Sequence, residues 1–298
     1  MAATPSYTNL VFEGGGVKVV AYCGALEVLE QAGLLGQLTA VAGTSAGAIT
    51  ATLVALGYSP TELRETMLDL NFRRFEDGVL EGPIRLVEHY GWYRGTAFKK
   101  WMAKQIGAKL GSQQATFADL AAVGRPDLRV VATDVATQQP EIFSLASSPD
   151  VAVADAVRMS MSIPFFFAAI ERDGSVYVDG GVTWNYPVEI FDGDQANPQT
   201  LGFHLDWTGH PPPPTTDVHD LVVFAKVVYA SVLAMQVDFF QRSRADLERT
   251  VIIDDLGILP TDFDITREQK LELIAKGAAA TRMFLDTKTA APAAPAEP

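Results

Sequence analysis

The sequence predicts a single α/β domain built on a central, mainly parallel sheet. Three observations predict it. Between Asn9 and Gly57, an apolar strand, a small-residue loop and a helical pattern occur twice in succession. Short β-branched and aromatic runs then alternate with helical patterns as far as Leu285. No repeat and no linker interrupts that alternation before an Ala/Pro-rich end. The chain has 298 residues, 48% of them hydrophobic and 20% charged, which supplies ample apolar material for a core.

Residues 9–12 read as a short strand. Residues 17–31 carry Val20, Cys23, Ala25, Leu26 and Leu29 at helical spacing and stop at Ala32-Gly33. Residues 38–42 are a second apolar run, and 46–56 a second helix closed by Gly57. Two such units in a row imply parallel strands joined by right-handed crossovers. Helical patterns at 61–75 and 96–106 look exposed, so about 61–111 is expected to be a helical insertion on the periphery. Further strands are expected at 128–133, 142–144, 175–178, 201–205 and 251–253, with helices at 151–161, 217–242 and 266–285. The domain is expected to span 7–286. The tail 287–298, "TKTAAPAAPAEP", lacks large apolar groups and is expected to be disordered.

The formal net charge is −13 and the sequence pI about 4.7. Nucleic acid is therefore not expected as a partner, because phosphate binding needs clustered Lys and Arg. Any lipid contact must be local and apolar, since the whole molecule has no pull toward anionic surfaces. The one cysteine, Cys23, excludes an intrachain disulfide and a cysteine-based zinc cluster. The N-terminus "MAATPSYTNL" shows no signal-peptide pattern, so a cytoplasmic location is expected. Residues 221–240 are long enough to span a bilayer, but Lys226, Gln236 and Asp238 interrupt them. A mostly buried helix is expected there. The alternative is an apolar flap that touches lipid, hinged at "HPPPP", residues 210–214.

Chemistry concentrates in three loops. The first is "VFEGGGVKVV", residues 11–20. A dinucleotide fingerprint fails because its third glycine would be Val19, and a P-loop fails because Val19 follows Lys18. The second is "GTSAG", Gly43 to Gly47, between an apolar strand and a helix. This is the context in which G-x-S-x-G forms a sharp turn that exposes a serine nucleophile, here Ser45. Parallel neighbouring strands would bring both loops to one sheet edge, where the glycines can offer N–H groups to an oxyanion. Among the histidines, His204 lies inside a strand, His210 abuts four prolines, and neither His89 nor His219 sits in a convincing loop. Only 44 residues precede Ser45, too few for the strands of an α/β-hydrolase. The expected base is Asp179, in "VDGG" after a short strand. Alone that pair reads better as a hairpin turn; the company of the other two loops reverses the reading. As a base it must lie close to Ser45, shielded from water, with a raised pKa.

"EGGGVK", "GTSAG" and "VDGG", in that order, resemble the patatin-like phospholipases. The block "RMSMSIPFFFAAI", the segment "VVATDVATQQPEIFS" and the stretch from Thr261 to Leu285 are similar to the family as well, the last to its bacterial members. The resemblance implies a three-layer α/β/α fold of patatin type. It implies Ser45 as nucleophile, Asp179 as base, Gly14, Gly15 and Gly16 as the oxyanion loop, and Lys18 supporting that loop. It implies no cofactor and no metal. The implied substrate is a lipid or other acyl ester met in transient contact with a membrane or micelle; no oligomeric state follows. Val19 stands where the family usually has glycine, and its side chain is expected to crowd the loop or narrow the acyl site. Residues 163–167 and the helix at 221–240 read equally as acyl-chain surface and as ordinary core packing. Two other readings share these residues: an acyltransferase on the same dyad, and a lipid-binding relative without turnover.

Overall fold

The computed structural model describes residues 6–206 and 221–290. The chain opens with β1 (Asn9–Phe12), the glycine loop, a tight 3-10 turn and α1 (Ala21–Gln31). Then come β2 (Ala40–Thr44), α2 (Ala46–Ala55), α3 (Pro60–Asp69), α4 (Gly82–Glu88), β3 (Gly91–Tyr93), α5 (Thr96–Leu110) and α6 (Phe117–Ala122). The central part holds β4 (Asp127–Asp134), β5 (Gln139–Phe143), α7 (Val153–Ser160), β6 (Phe165–Phe167), β7 (Ile170–Arg172) and β8 (Ser175–Asp179). The described chain ends with β9 (Thr200–Asp206), α8 (Leu221–Arg242), α9 (Arg244–Glu248), β10 (Thr250–Asp254) and α10 (Arg267–Ala290).

The main sheet runs β10-β9-β1-β2-β4-β8-β7, with β5 on the other edge of β4. The five strands from β10 to β4 are parallel, whereas β5, β8 and β7 run antiparallel to their neighbours. A parallel pair, β3 with β6, forms a separate two-stranded sheet. Strand alternation sorts the buried side chains by face. Leu10, Phe12, Val41, Val130, Ala132 and Phe203 enter the large core shared with α1, α2, α5, α7 and α10. Val11, Ala42 and Val131 face the other way, against Tyr186, Val188 and Ile190. Beneath the glycine loop Phe12 stacks on Phe203 at 5.2 Å, and Tyr22 tilts against both. Each such aromatic or aliphatic side chain contributes roughly 1.5–3 kcal/mol on full burial.

Three expectations change. Two of the helices within 61–111 are not peripheral: Leu63 and Met67 of α3 and Phe98, Met102 and Ile106 of α5 are buried in the main core, whereas α4 exposes Ile84 and Val87. The spacing in α3 and α5 carries too few apolar residues to announce this. The helix at 221–240 is not mostly buried, since Tyr229 is buried whereas Phe224, Val228 and Met235 are exposed. No helix among the described residues is long and apolar enough to cross a membrane. Thr287 to Ala290, expected in the tail, complete the last turn of α10. The remaining tail and the proline run at 210–214 lie outside the described residues.

Candidate active site

Ser45 joins β2 to α2 with φ 53° and ψ −130°, a backbone shape that a non-glycine residue adopts only under strain, about 1–3 kcal/mol. The two glycines of the motif make this turn possible by close approach. A side chain on Gly43 would meet the Gly47 carbonyl group at 2.5 Å, and one on Gly47 would strike the carbonyl oxygens of Phe12 and Glu13. The elbow therefore wedges against the end of β1. Ser160, at the end of α7, holds the turn from behind: its Oγ accepts the Ser45 N–H at 2.8 Å and donates to the Val131 carbonyl at 2.5 Å.

The Ser45 Oγ donates to Asp179 Oδ2 at 2.6 Å, and Met161 Sδ lies 3.6 Å from the same oxygen. The other carboxylate oxygen, Oδ1, accepts the Gly181 N–H at 2.7 Å and the Tyr229 hydroxyl at 2.9 Å. Asp179 is completely buried, and burial pushes its carboxyl up to about 6, against the lowering effect of those hydrogen bonds. β8 brings it there by running antiparallel to β4 and pairing only with its last residues, Ala132 opposite Asp179 and Asp134 opposite Tyr177. The strand end thus stops level with the carboxyl ends of the parallel strands. Gly180 fits against the Val131 carbonyl and Thr44 Cγ2, where a side chain has no room.

The glycine loop lies alongside, as the pairing of β1 with β2 requires. A side chain on Gly14 would collide with Asn185 Oδ1 and stand 3.1 Å from Ser45 Cβ. The Gly14 N–H is engaged by the Asn185 carbonyl at 3.0 Å. Gly15 and Gly16 N–H groups meet no acceptor among the described residues. Gly16 has φ 56° and packs its Cα on the Pro260 carbonyl, to which the Val17 N–H also donates at 3.0 Å. Lys18 turns to Asp255, Nζ to Oδ2 2.5 Å, with both side chains nearly buried. That pair ties the loop to the segment after β10. Val19 is wholly buried within the main core.

The profile of the family described as Patatin-like phospholipase matches residues 10–192, which include all three loops. The chain belongs to the patatin-like phospholipase family. It is 31% identical over 299 residues to the uncharacterized protein YqhO of Bacillus subtilis (strain 168), covering 94% of this chain and 98% of that one. It is 27% identical over 190 residues to the probable lipid hydrolase 463L of Invertebrate iridescent virus 6, covering 62% and 63% respectively. Among solved structures, VipD from Legionella pneumophila superposes with a TM-score of 0.65 at 18% identity, covering 96% of this chain and 68% of VipD. That likeness is one of fold: a mixed sheet with central parallel strands, flanked by helices.

Around the Ser45–Asp179 pair, this patatin-like protein gathers residues that motif reading passed over. Glu13, which opens the glycine motif, is an anchor: its carboxylate accepts from Leu205 N–H at 2.7 Å and Asn185 Nδ2 at 2.9 Å. Its carbonyl accepts the Tyr22 hydroxyl at 2.9 Å. His204 Nδ1 lies 2.9 Å from Glu13 Oε2, and the ring packs on Tyr186 and Phe240. Ser160 stood within the block that carried the resemblance, so its position was readable though its bond to Ser45 was not. Tyr229 had no such signal, because it looks like one more apolar position of α8. No group of three His, Cys, Asp or Glu side chains among the described residues is arranged to hold a metal.

Proposed function

We propose that this patatin-like protein is a serine lipid acyl hydrolase that works through Ser45 and Asp179. The observation that carries this is the 2.6 Å hydrogen bond from Ser45 Oγ to a buried carboxylate, at a strained turn. Ser45 Oγ attacks the ester carbonyl carbon and passes its proton to Asp179 Oδ2. The carbonyl oxygen becomes negative and is met by the Gly15 and Gly16 N–H groups, whose donors are not spent elsewhere in the described protein. When the C–O bond breaks, Asp179 returns the proton to the leaving alcohol. Water then attacks the acyl carbon and gives a proton to Asp179, which passes it to Ser45 Oγ as the acyl C–O bond breaks, releasing the carboxylic acid and restoring Ser45.

A lipid substrate is supported by a cavity of about 370 Å³ between α8 and residues 259–262, lined by Val223, Val227, Ala230, Leu233 and Leu259. It borders Tyr229, and Tyr229 touches Asp179. An acyl chain fits such a wall, and the exposed apolar side chains of α8 suit brief contact with a lipid surface. The same family membership and the relative named a probable lipid hydrolase favour this substrate class.

The test is turnover of p-nitrophenyl esters of rising chain length and of phospholipid micelles. Wild type is expected to hydrolyse them, to react with a fluorophosphonate probe at Ser45, and to prefer longer chains. Ser45→Ala and Asp179→Asn are expected to lose at least about 10³-fold, in line with removal of a nucleophile or its base. Wild-type-like turnover in either variant overturns the dyad. Unlabelled Ser45 with no turnover marks a lipid-binding relative, and acyl transfer to added alcohol without acid release marks a transferase.

A further inference from the structure

α8 touches both the Asp179 carboxylate and the acyl cavity. Its Tyr229 donates to Asp179 Oδ1 at 2.9 Å. Two turns later Gln236 bridges the loop that follows: Nε2 donates to the Gly181 carbonyl at 2.8 Å, and Oε1 accepts the Asn185 N–H at 2.8 Å. Positions seven apart share a helix face, so one side of α8 grips the Asp179–Asn185 turn at two points. Gly181 is cut to fit this grip, because a side chain there would run into the Tyr229 hydroxyl. The flank of the same helix supplies Val223, Val227, Ala230 and Leu233 to the cavity. Apart from Tyr229, the α8 residues whose burial is described are half-buried or exposed. Leu233 packs against the main core and Phe240 against Tyr186 and His204, so core packing holds α8 in part, and the two polar contacts and whatever fills the cavity complete its seat.

We propose that Tyr229 is a positioning residue for Asp179, and that an acyl chain lying in the α8 cavity seats it. The inference rests on the functional reading above. With Gly181 N–H and Tyr229 both on Oδ1, the plane of the carboxylate is held so that its other oxygen faces Ser45 Oγ. A chain long enough to fill the space beside Leu233 presses α8 into the seat that makes this bond. A short acyl group leaves the cavity unfilled and Tyr229 less firmly held. Chain length then acts on the rate of the chemical step as well as on binding, since remote contacts are converted into alignment at the reacting atoms. Among the described residues, the groups that face the carboxylate are few. They are Ser45 at the start of α2, Gly181 N–H in its own turn, and Tyr229 from α8. On α7, Arg158 is turned to Ser162 Oγ and Ser160 to the Val131 carbonyl, and Lys18 pairs with Asp255.

The experiment compares wild type with Tyr229→Phe, which keeps the ring and removes the hydroxyl. It measures kcat, KM and the acid limb of the pH profile for p-nitrophenyl acetate and p-nitrophenyl decanoate. In wild type, kcat is expected to be higher for decanoate. In Tyr229→Phe that kcat advantage is expected to shrink roughly 10-fold, with KM little changed. The acid limb is expected to move up by about half to one pH unit, because a hydrogen bond to the ionised form is lost. An unchanged acid limb together with an unchanged decanoate-to-acetate kcat ratio overturns the proposal. A second measurement does not need turnover: the carboxyl ¹³C titration of Asp179 in the Ser45→Ala background, with and without Tyr229→Phe. An upward shift supports the hydrogen bond as a determinant of the carboxylate, and coincident curves overturn it. Failure of the functional reading would look different, namely turnover insensitive to Ser45→Ala.

Discussion

Asp179 in its charged form works against the fold that holds it. Its carboxyl titrates near 6 in the folded chain because it is buried, against 3.8 for the unperturbed group. A carboxyl raised in this way adds stability that is fully present below the unfolded pKa and is lost as pH rises through the folded one. Asp179→Asn is therefore expected to raise stability at pH 7 by about 1–3 kcal/mol while removing activity. Thermal melts at pH 7 and near pH 4 check this, because the gain should vanish at the lower pH. The same titration sets the catalytic window. kcat/KM for a soluble ester is expected to fall tenfold per pH unit below about 6, and a flat profile down to pH 5 would argue against Asp179 as the base. At this scale the sequence showed much: the Asp-Gly-Gly and Gly-Thr-Ser-Ala-Gly patterns name both side chains of the proposed dyad, which the fold brings within hydrogen-bond distance. It did not show that the Gly14 N–H is already spent on Asn185, nor that Ser160 supports the elbow, because both depend on partners more than a hundred residues away.

Elements place these residues by contact of backbone on backbone. Gly47→Ala would drive a methyl group into the Phe12 and Glu13 carbonyl oxygens and separate α2 from the end of β1. It is expected to cost about 1–3 kcal/mol and most of the activity, measured by urea unfolding and by fluorophosphonate labelling rate. Lys18 makes a related prediction. Replacing it with methionine leaves Asp255 nearly buried beside the glycine loop without its counter-charge. A loss of about 3–5 kcal/mol is expected, larger than for Lys18→Met with Asp255→Asn together, and a double-mutant cycle measures the difference. β8 shows where element reasoning from sequence succeeds for a different reason. The end of a parallel strand falls at the active edge by rule, and Asp179 was expected there on that basis. β8 is antiparallel, and reaches the same edge because it overlaps only the last three residues of β4.

For the whole molecule, charge and topology divide the questions between them. A net charge of −13 opposes approach to an anionic surface over about a Debye length, roughly 10 Å at 0.1 M salt. Turnover on phosphatidylglycerol vesicles is expected to lag that on phosphatidylcholine vesicles several-fold at low salt. The gap is expected to close at about 0.5 M salt, where screening removes the repulsion. Equal rates at low salt would show that net charge plays no part in interfacial contact. The sequence by itself determined the α/β alternation, the parallel centre of the sheet, the neighbourhood of the glycine loop and Ser45, and the family. Each follows from local rules: strand and helix periods, turn glycines, and the handed crossover between adjacent parallel strands. Only the tertiary structure decided that α3 and α5 join the main core, that β8 runs antiparallel, and that α8 exposes much of its surface with Tyr229 on Asp179. These depend on which faces pack together across long stretches of chain. Periodicity shows that a face exists, but the remainder of the fold chooses what covers it.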